Sequence, residues 1–345
     1  MKILQDNNLD EIKKLVLEMN EPVFRAKQLF EGIYSGKSID GITNIGAMFK
    51  EKILKEFVNE PVKIVERLEG KDGTVKLVYS LFDGNIIEGV LMNYKYGNTL
   101  CVSTQVGCRM GCKFCASTLG GLVRNLSSGE ILSQVLICNK MLEGGMRDKR
   151  KITNIVLMGS GEPLDNFDNV CKFLSLVSSA DGINISERNI SLSTCGICEK
   201  ILELADLGHS VNLTISMHAP TDEIRKGIMP IANKYSIKQV LAAAKYYFEK
   251  TGRRVIFEYA LIKGVNDSDE CIKEIVSKFK GFSMHFNIIP LNSVKERNLE
   301  SAGRSAAYQF AEKLEKNKIS ATVRRTMGED IEGACGQLRN KILKK

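Results

Sequence analysis

At 345 residues the chain is longer than one average domain and shorter than three, so one large domain with attachments is expected. A composition of 43% hydrophobic and 26% charged residues supplies a sizeable core and excludes a wholly disordered protein. The 49 basic residues outnumber the 41 acidic ones, for a net charge of +8, and the excess in 101–160 and 241–345 would either draw a polyanion such as RNA or stand as a solvated basic face.

Met1 to Asp10 is polar and mixed in charge, without a basic-then-apolar leader, and no run approaches about 18 apolar residues. A cytoplasmic chain with no membrane span is expected, and a monomer, because no oligomerisation segment is evident. Residues 1–60 read as a small helical module. Leu9, Ile12, Leu15, Val16 and Met19 recur at helical spacing, Pro22 opens a second helix with Phe24, Leu29, Phe30 and Ile33, and a third is expected over 47–57. The period then changes. Across 61–98, runs such as Val75, Leu77, Val78, Tyr79 and Leu81 alternate with turn signals at 70–73 and Asp83-Gly84, which predicts a short antiparallel β extension.

From Thr99 onward strands and helices alternate. Strands are expected over 99–104, 152–158, 189–194, 211–217, 254–262, 284–289 and 319–324, with helices near 128–143, 167–179, 197–207, 236–250, 268–280 and 302–317. Ser127 and Glu130 have the spacing of a capping box ahead of the first of these helices. Such alternation gives an α/β fold with a parallel sheet, either doubly wound or a full or partial barrel, whose chemistry gathers at the C-terminal strand ends. The units read as 1–60, 61–98, 99–325 and a polar tail, 326–345.

Ten cysteines in a chain expected to be cytoplasmic should be reduced thiols, and clustered ones suggest metal or redox chemistry. Cys108, Cys112 and Cys115 follow the first parallel strand with C-x3-C-x2-C spacing, and Gly107 and Gly111 let the backbone wrap around a bound group. Three thiolates on one loop hold three corners of a cubane iron–sulfur cluster. A structural zinc site would want a fourth ligand close by, and none follows at the usual distance. Further along, Gly159-Ser160-Gly161-Glu162-Pro163 ends the second strand, and Glu162 can accept from an ammonium group. Ser193, Ser216-Met217-His218 and Asn292 mark later strand ends.

These motifs resemble the radical S-adenosylmethionine (SAM) superfamily, whose CxxxCxxC signature follows the first strand of a partial (β/α)6 barrel. The resemblance implies a [4Fe-4S] cluster on Cys108, Cys112 and Cys115. It also implies SAM contacts from Gly161, Glu162, Ser193, Ser216, Met217, His218 and Asn292. Leu100-Cys101 to Cys108, Arg124-Asn125-Leu126, His218-Ala219-Pro220 and Ala334-Cys335-Gly336-Gln337-Leu338 narrow the resemblance to the RlmN/Cfr group of RNA methyltransferases. Gly161 to Leu164 and Asn287 to Pro290 are more similar to its adenine-C2 branch than to its C8 branch.

That resemblance implies 2-methyladenosine formation at adenosine 2503 of 23S rRNA and at adenosine 37 of tRNA, with two SAM per turnover. It casts Cys335 as the methylated cysteine, Cys101 as the resolving cysteine that leaves a Cys101–Cys335 disulfide, and Glu88 as the proton acceptor. An electron donor such as flavodoxin or ferredoxin is implied too. From the residues alone, Glu88 is a charged residue in an apolar strand, expected to face solvent, and Cys101 and Cys335 could be ordinary buried thiols. Cys195 and Cys198 read as incidental, and Cys138, Cys171 and Cys271 as core. Arg324, Arg325, Arg339 and Lys341 to Lys345 could grip phosphates or form a solvated tail. A C8 methyltransferase, a non-catalytic iron–sulfur RNA-binding redox sensor and a glycyl-radical activase are the competing readings.

Overall fold

The computed structural model describes residues 1–279 and 283–338; the expected end of the 268–280 helix and the basic residues Arg339 and Lys341 to Lys345 lie outside them. Helices α1 (Leu9–Glu18), α2 (Phe24–Tyr34) and α3 (Ala47–Leu54) form the N-terminal module. Its apolar side, including Ile12, Val16, Leu29, Phe30 and Phe49, is buried in the main core of the molecule. Helix α3 stops three residues short of the expected end. Phe57 leaves the helix to be buried beside a bridge to Lys2.

Strands β1 (Val62–Glu69), β2 (Val75–Leu81), β3 (Ile86–Tyr94) and β4 (Gly97–Cys101) are antiparallel in turn, with the expected turns joining the first three. Strand β4 then pairs in parallel with β7 (Ile152–Leu157). The β extension and the parallel strands are therefore parts of one ten-stranded sheet. Strands β5 (Gln105–Gly107) and β6 (Leu122–Asn125) form a separate small ladder flanking the cysteine loop.

The remaining strands are β8 (Ile190–Thr194), β9 (Asn212–Ser216), β10 (Val255–Leu261), β11 (Met284–Pro290) and β12 (Ala321–Val323). Between them run α4 (Ser128–Met141), α5 (Phe167–Ser178), α6 (Cys198–Asp206), α7 (Asp222–Ile228), α8 (Ile237–Thr251), α9 (Asp269–Phe279) and α10 (Arg304–Lys316). Sheet order is β1-β2-β3-β4-β7-β8-β9-β10-β11-β12. It follows chain order without reversal, which selects a barrel winding over a doubly wound sheet, where strand order turns back at a switch point. With β1 and β12 at its two ends the barrel is partial.

Burial explains the winding. Strand β10 is buried along nearly its whole length, as a parallel strand covered on both faces should be. The expected capping box forms at α4: Ser127 Oγ accepts from the Glu130 amide, and the Glu130 carboxylate accepts from the Ser127 amide at 2.9 Å. No helix among the described residues is long and apolar enough to cross a membrane.

Candidate active site

The C-terminal ends of the parallel strands open onto a cleft, where ligands of such barrels bind. Cys108, Cys112 and Cys115 line one side. Gly161, Glu162, Ser193, Ser216, His218, Asn292 and Cys335 line it from the strand ends and the C-terminal segment. Two of the strands turn from buried apolar residues to serine where they reach the cleft. Leu192 gives way to Ser193 on β8, and Ile215 to Ser216 on β9.

The cysteine loop is shaped by backbone contacts. Gly107 has φ +76°, and a Cβ there would fall 2.0 Å from the Gly121 carbonyl oxygen across the β5–β6 ladder. Lys113 N–H donates to Ile228 O at 2.9 Å, tying the loop to the end of α7. Burial pushes the Cys108 thiol up to about 12, and it raises Cys112 and Cys115 as well. Without a metal these groups are thiols, and a metal cluster must displace their protons on binding. Among the described residues no three His, Cys, Asp or Glu side chains are placed to share one metal ion. All three cysteines are among the residues that line the cleft.

Glu162 is 4% exposed and burial raises its pKa. Its carboxylate accepts from Leu164 N–H at 3.0 Å and Cys195 N–H at 2.7 Å, which fixes its orientation toward the cleft and opposes the rise. His218 has φ +52° and is buried against the edge of Phe114, with ring centroids 4.7 Å apart. Its Nδ1 accepts from Ala260 N–H at 2.9 Å. Burial, with the Arg225 charge second, lowers its pKa to about 3, so it lines the cleft as a neutral ring. Asn292 spends its amide on the Cys335 carbonyl, at 3.0 Å.

A second cleft adjoins the first. Val90, Met92, Cys101, Arg324, Arg325 and Cys335 are among its walls, so Cys335 borders both spaces. Both Cys101 and Cys335 are free thiols. Burial first, then the neighbouring Cys335, pushes the Cys101 thiol up to about 12.

Several sequence expectations change here. Glu88 is not solvent-facing: it is 1% exposed and ion-paired with Lys76 at 2.9 Å, and the C-terminal segment packs on that face of β3, with Met327 and Leu338 against Val90 and Met92 and the Glu332 carbonyl on Lys76. Glu88 and the fully buried Met217 are not among the lining residues of either cleft. Arg324 turns inward rather than toward a phosphate. Its Nη1 donates to Glu258 Oε1 at 2.9 Å and lies 3.9 Å from Cys335 Sγ. Cys195 lines the main cleft, and its amide and carbonyl serve Glu162 and Arg225. Cys138 and Cys271 are core, while Cys171 is only half-buried.

Glu258, on β10, escaped the sequence reading. It is 4% exposed, lines the main cleft and accepts from Ser193 Oγ at 3.3 Å. A lone glutamate within an apolar strand, Ile256-Phe257-Glu258-Tyr259-Ala260, was the available signal.

Residues 102–276 match the radical SAM superfamily, the class of enzyme that this barrel and its cysteine loop define. Over 347 aligned residues the chain is 50% identical to a probable dual-specificity RNA methyltransferase RlmN of Clostridium novyi (strain NT), covering 100% of this chain and 99% of that protein. It is 51% identical to the protein of the same name from Clostridium perfringens (strain 13 / Type A), covering 100% and 98%. The crystal structure of a radical SAM methyltransferase from Sphaerobacter thermophilus superimposes with a TM-score of 0.94 at 36% identity, covering 99% of this chain and all of that one. The chain belongs to the radical SAM superfamily and, within it, to the RlmN family of RNA methyltransferases. The class works with a [4Fe-4S] cluster and SAM, and the three thiols around the positive-φ Gly107 and Gly111 fit such a cluster.

Proposed function

We propose that the protein methylates C2 of adenine, at adenosine 2503 of 23S rRNA and adenosine 37 of tRNA, through S-methylation of Cys335 and resolution by Cys101. The observation that carries this reading is the position of Cys335: its thiol borders the cleft beside the cysteine loop and also the adjoining cleft lined by Cys101. A carrier must meet the methyl donor in one space and a resolving thiol in the other. A simple binding protein has no need of that arrangement.

Adenine C2 is electron-poor, so the methyl group cannot be placed on it by simple displacement. In this reading the Cys335 thiolate first attacks the methyl carbon of one SAM. An S–CH3 bond forms, the sulfonium–CH3 bond breaks, S-adenosylhomocysteine leaves, and the thiol proton goes to solvent. Cys108, Cys112 and Cys115 would hold the cluster, which with a second SAM and one electron from a donor such as flavodoxin or ferredoxin would supply the radical that takes hydrogen from the S-methyl group. Cys335 then carries its methylene carbon to C2. From the adduct one electron would return to the cluster that had donated one, and one proton would pass to Glu88. Attack by the Cys101 thiolate on the Cys335 sulfur forms the disulfide and breaks the sulfur–carbon bond to the RNA, whose methylene carbon takes a proton to become the methyl group.

Glu162 would accept the SAM ammonium, with Gly161, Ser193, Ser216 and His218 around the nucleoside; Met217 and Asn292 would act through backbone and tail contacts. The helical module 1–60 would position RNA, 61–98 would support the tail, 99–325 would carry the radical chemistry, and 326–345 would carry the methyl group. A cytoplasmic monomer suits this work.

Anaerobic turnover with methyl-deuterated SAM and RNA lacking the modification tests the proposal. A 2-methyladenosine with two deuteriums, absent in Cys335→Ala, is expected. Three deuteriums, or a dominant 8-methyladenosine product, would overturn it.

A further inference from the structure

The segment 326–338 that carries Cys335 contains one short 3-10 turn, Glu329–Ile331, and is otherwise irregular. It is held from outside. Gly328 N–H donates to Asp72 Oδ2 at 2.9 Å, and Asp330 Oδ2 accepts from Lys71 N–H at 3.0 Å. Nearer the thiol, Ser117 Oγ donates to Leu338 O at 2.8 Å and Ala116 N–H to Gly336 O at 2.8 Å.

One further contact differs in kind. The Lys76 ammonium is 1% exposed, donates to Glu332 O at 3.1 Å, and lies 2.9 Å from Glu88 Oε1, whose side chain is also 1% exposed. The register places Lys76 opposite Val90 and Glu88 opposite Val78. Lys76 and Glu88 are thus diagonal neighbours on one face of the sheet, the face whose Val90 and Met92 line the cleft of Cys101 and Cys335. Glu332 has φ +50°, a left-handed conformation that a residue with a side chain adopts only when its surroundings impose it. That conformation delivers its carbonyl to Lys76.

A buried ion pair returns little stability against an apolar pair of the same volume. Its value lies in what it orients, and an ammonium with three donors can serve two acceptors at once. We propose that Lys76 is a positioning residue of the methyl-transfer site: through the Glu332 carbonyl it holds the Cys335 segment, and through the buried ion pair it fixes the Glu88 carboxylate on the face of β3 that also lines the Cys101 cleft. This rests on the reading of Cys335 as methyl carrier and Glu88 as proton acceptor. It adds that both are set by one side chain on β2.

Full-length reconstituted protein tests this in four forms: wild type, Glu88→Gln, Lys76→Met/Glu88→Gln, and Lys76→Arg. The double variant removes both charges, whereas Glu88→Gln keeps the Lys76 ammonium with two neutral acceptors, the glutamine carbonyl and the Glu332 carbonyl. Hydrogen exchange of the 326–338 amides and the mass of the Cys335 peptide after exposure to SAM are the readouts, beside iron content. Relative to Glu88→Gln, the double variant should exchange about tenfold faster in this segment and methylate Cys335 about tenfold more slowly, with iron content unchanged. Lys76→Arg should stay near wild type in both. A double variant indistinguishable from Glu88→Gln would overturn the proposal. So would loss of iron together with tail protection, because Lys76 would then serve the sheet as a whole. If the wild-type peptide never gains a methyl group, the reading of Cys335 fails, while the exchange difference still decides whether Lys76 holds the tail.

Discussion

Cys101, at the end of β4, and Cys335, on the C-terminal segment, line the same cleft, and a charge on Cys335 raises the pKa of the Cys101 thiol. Burial is the larger cause of that rise and holds Cys101 at about 12, so it is a thiol until something draws its proton away. A resolving cysteine kept protonated does not compete for the methyl donor. Cys101→Ala should therefore still methylate Cys335 but fail to release the RNA. A covalent protein–RNA adduct that survives denaturing electrophoresis is expected, and normal multiple turnover by this variant would remove Cys101 from the mechanism.

Arg324 acts on the other thiol. Burial raises the pKa of Cys335, and the guanidinium 3.9 Å from its sulfur pulls it back down. Arg324→Met should raise it further, and each unit removes about tenfold of the thiolate below the pKa. Methylation of the Cys335 peptide should be slower in this variant at pH 7 and should recover as the pH is raised toward 9. An unchanged pH profile would show that Arg324 serves Glu258 alone.

Gly161 has φ +108°, and a Cβ there would sit 2.6 Å from the Gln105 Cβ. Gln105 in turn holds the Glu162 amide through its Oε1 at 2.9 Å. Gly161→Ala should therefore move the Glu162 carboxylate and cost about 1–3 kcal/mol of stability. Equilibrium dialysis with SAM should show weakened binding at full iron content, and unaltered affinity would separate Gly161 from the SAM site.

His218 gives a pH dependence with a defined sign. Its folded pKa is lowered to about 3 from 6.5. Between these values the unfolded chain binds a proton that the folded chain does not, so this contribution is present above pH 6.5 and is lost as the pH falls toward 3. The slope approaches ~1.4 kcal/mol per pH unit within the window. His218→Asn, tolerated at φ +52°, removes it. Urea unfolding of the apo-protein at pH 7.5 and 5.5 should show the wild type losing more stability than the variant; equal losses would mean that His218 is not the neutral buried ring described.

The elements that the sequence made legible are those whose signals are local. The capping box at Ser127 and Glu130 lies within four residues, the β/α alternation repeats at helical and strand periods, and the cysteine triplet lies within eight residues of Cys108. Each is set by backbone geometry or side-chain alternation over a turn or two, so the chain alone carries it. The same holds for the turns at 70–73 and Asp83-Gly84, which appear where expected.

Strand order is not local, and the choice between a doubly wound sheet and a barrel waited on which strands pair. The antiparallel extension joined the parallel strands only because β4 hydrogen-bonds to β3 on one side and β7 on the other. Glu88 read as a solvent-facing residue because its strand neighbours are apolar on both sides and nothing nearby announces Lys76 or the tail above it. Arg324 read as a phosphate grip or a solvated residue because its partners, Glu258 and Cys335, sit 66 and 11 residues away.

The sequence by itself determined the cysteine loop and the alternating architecture, because spacing and period are properties of neighbouring residues, and it carried the family through a resemblance in motifs spread from Cys101 to Leu338. Only the tertiary structure decided that Cys335 borders two clefts, that Lys76 links Glu88 to the tail, and that Arg324 faces the thiol. Those relationships depend on burial, and a charged residue declares its partner only when folding removes the water that would otherwise satisfy it.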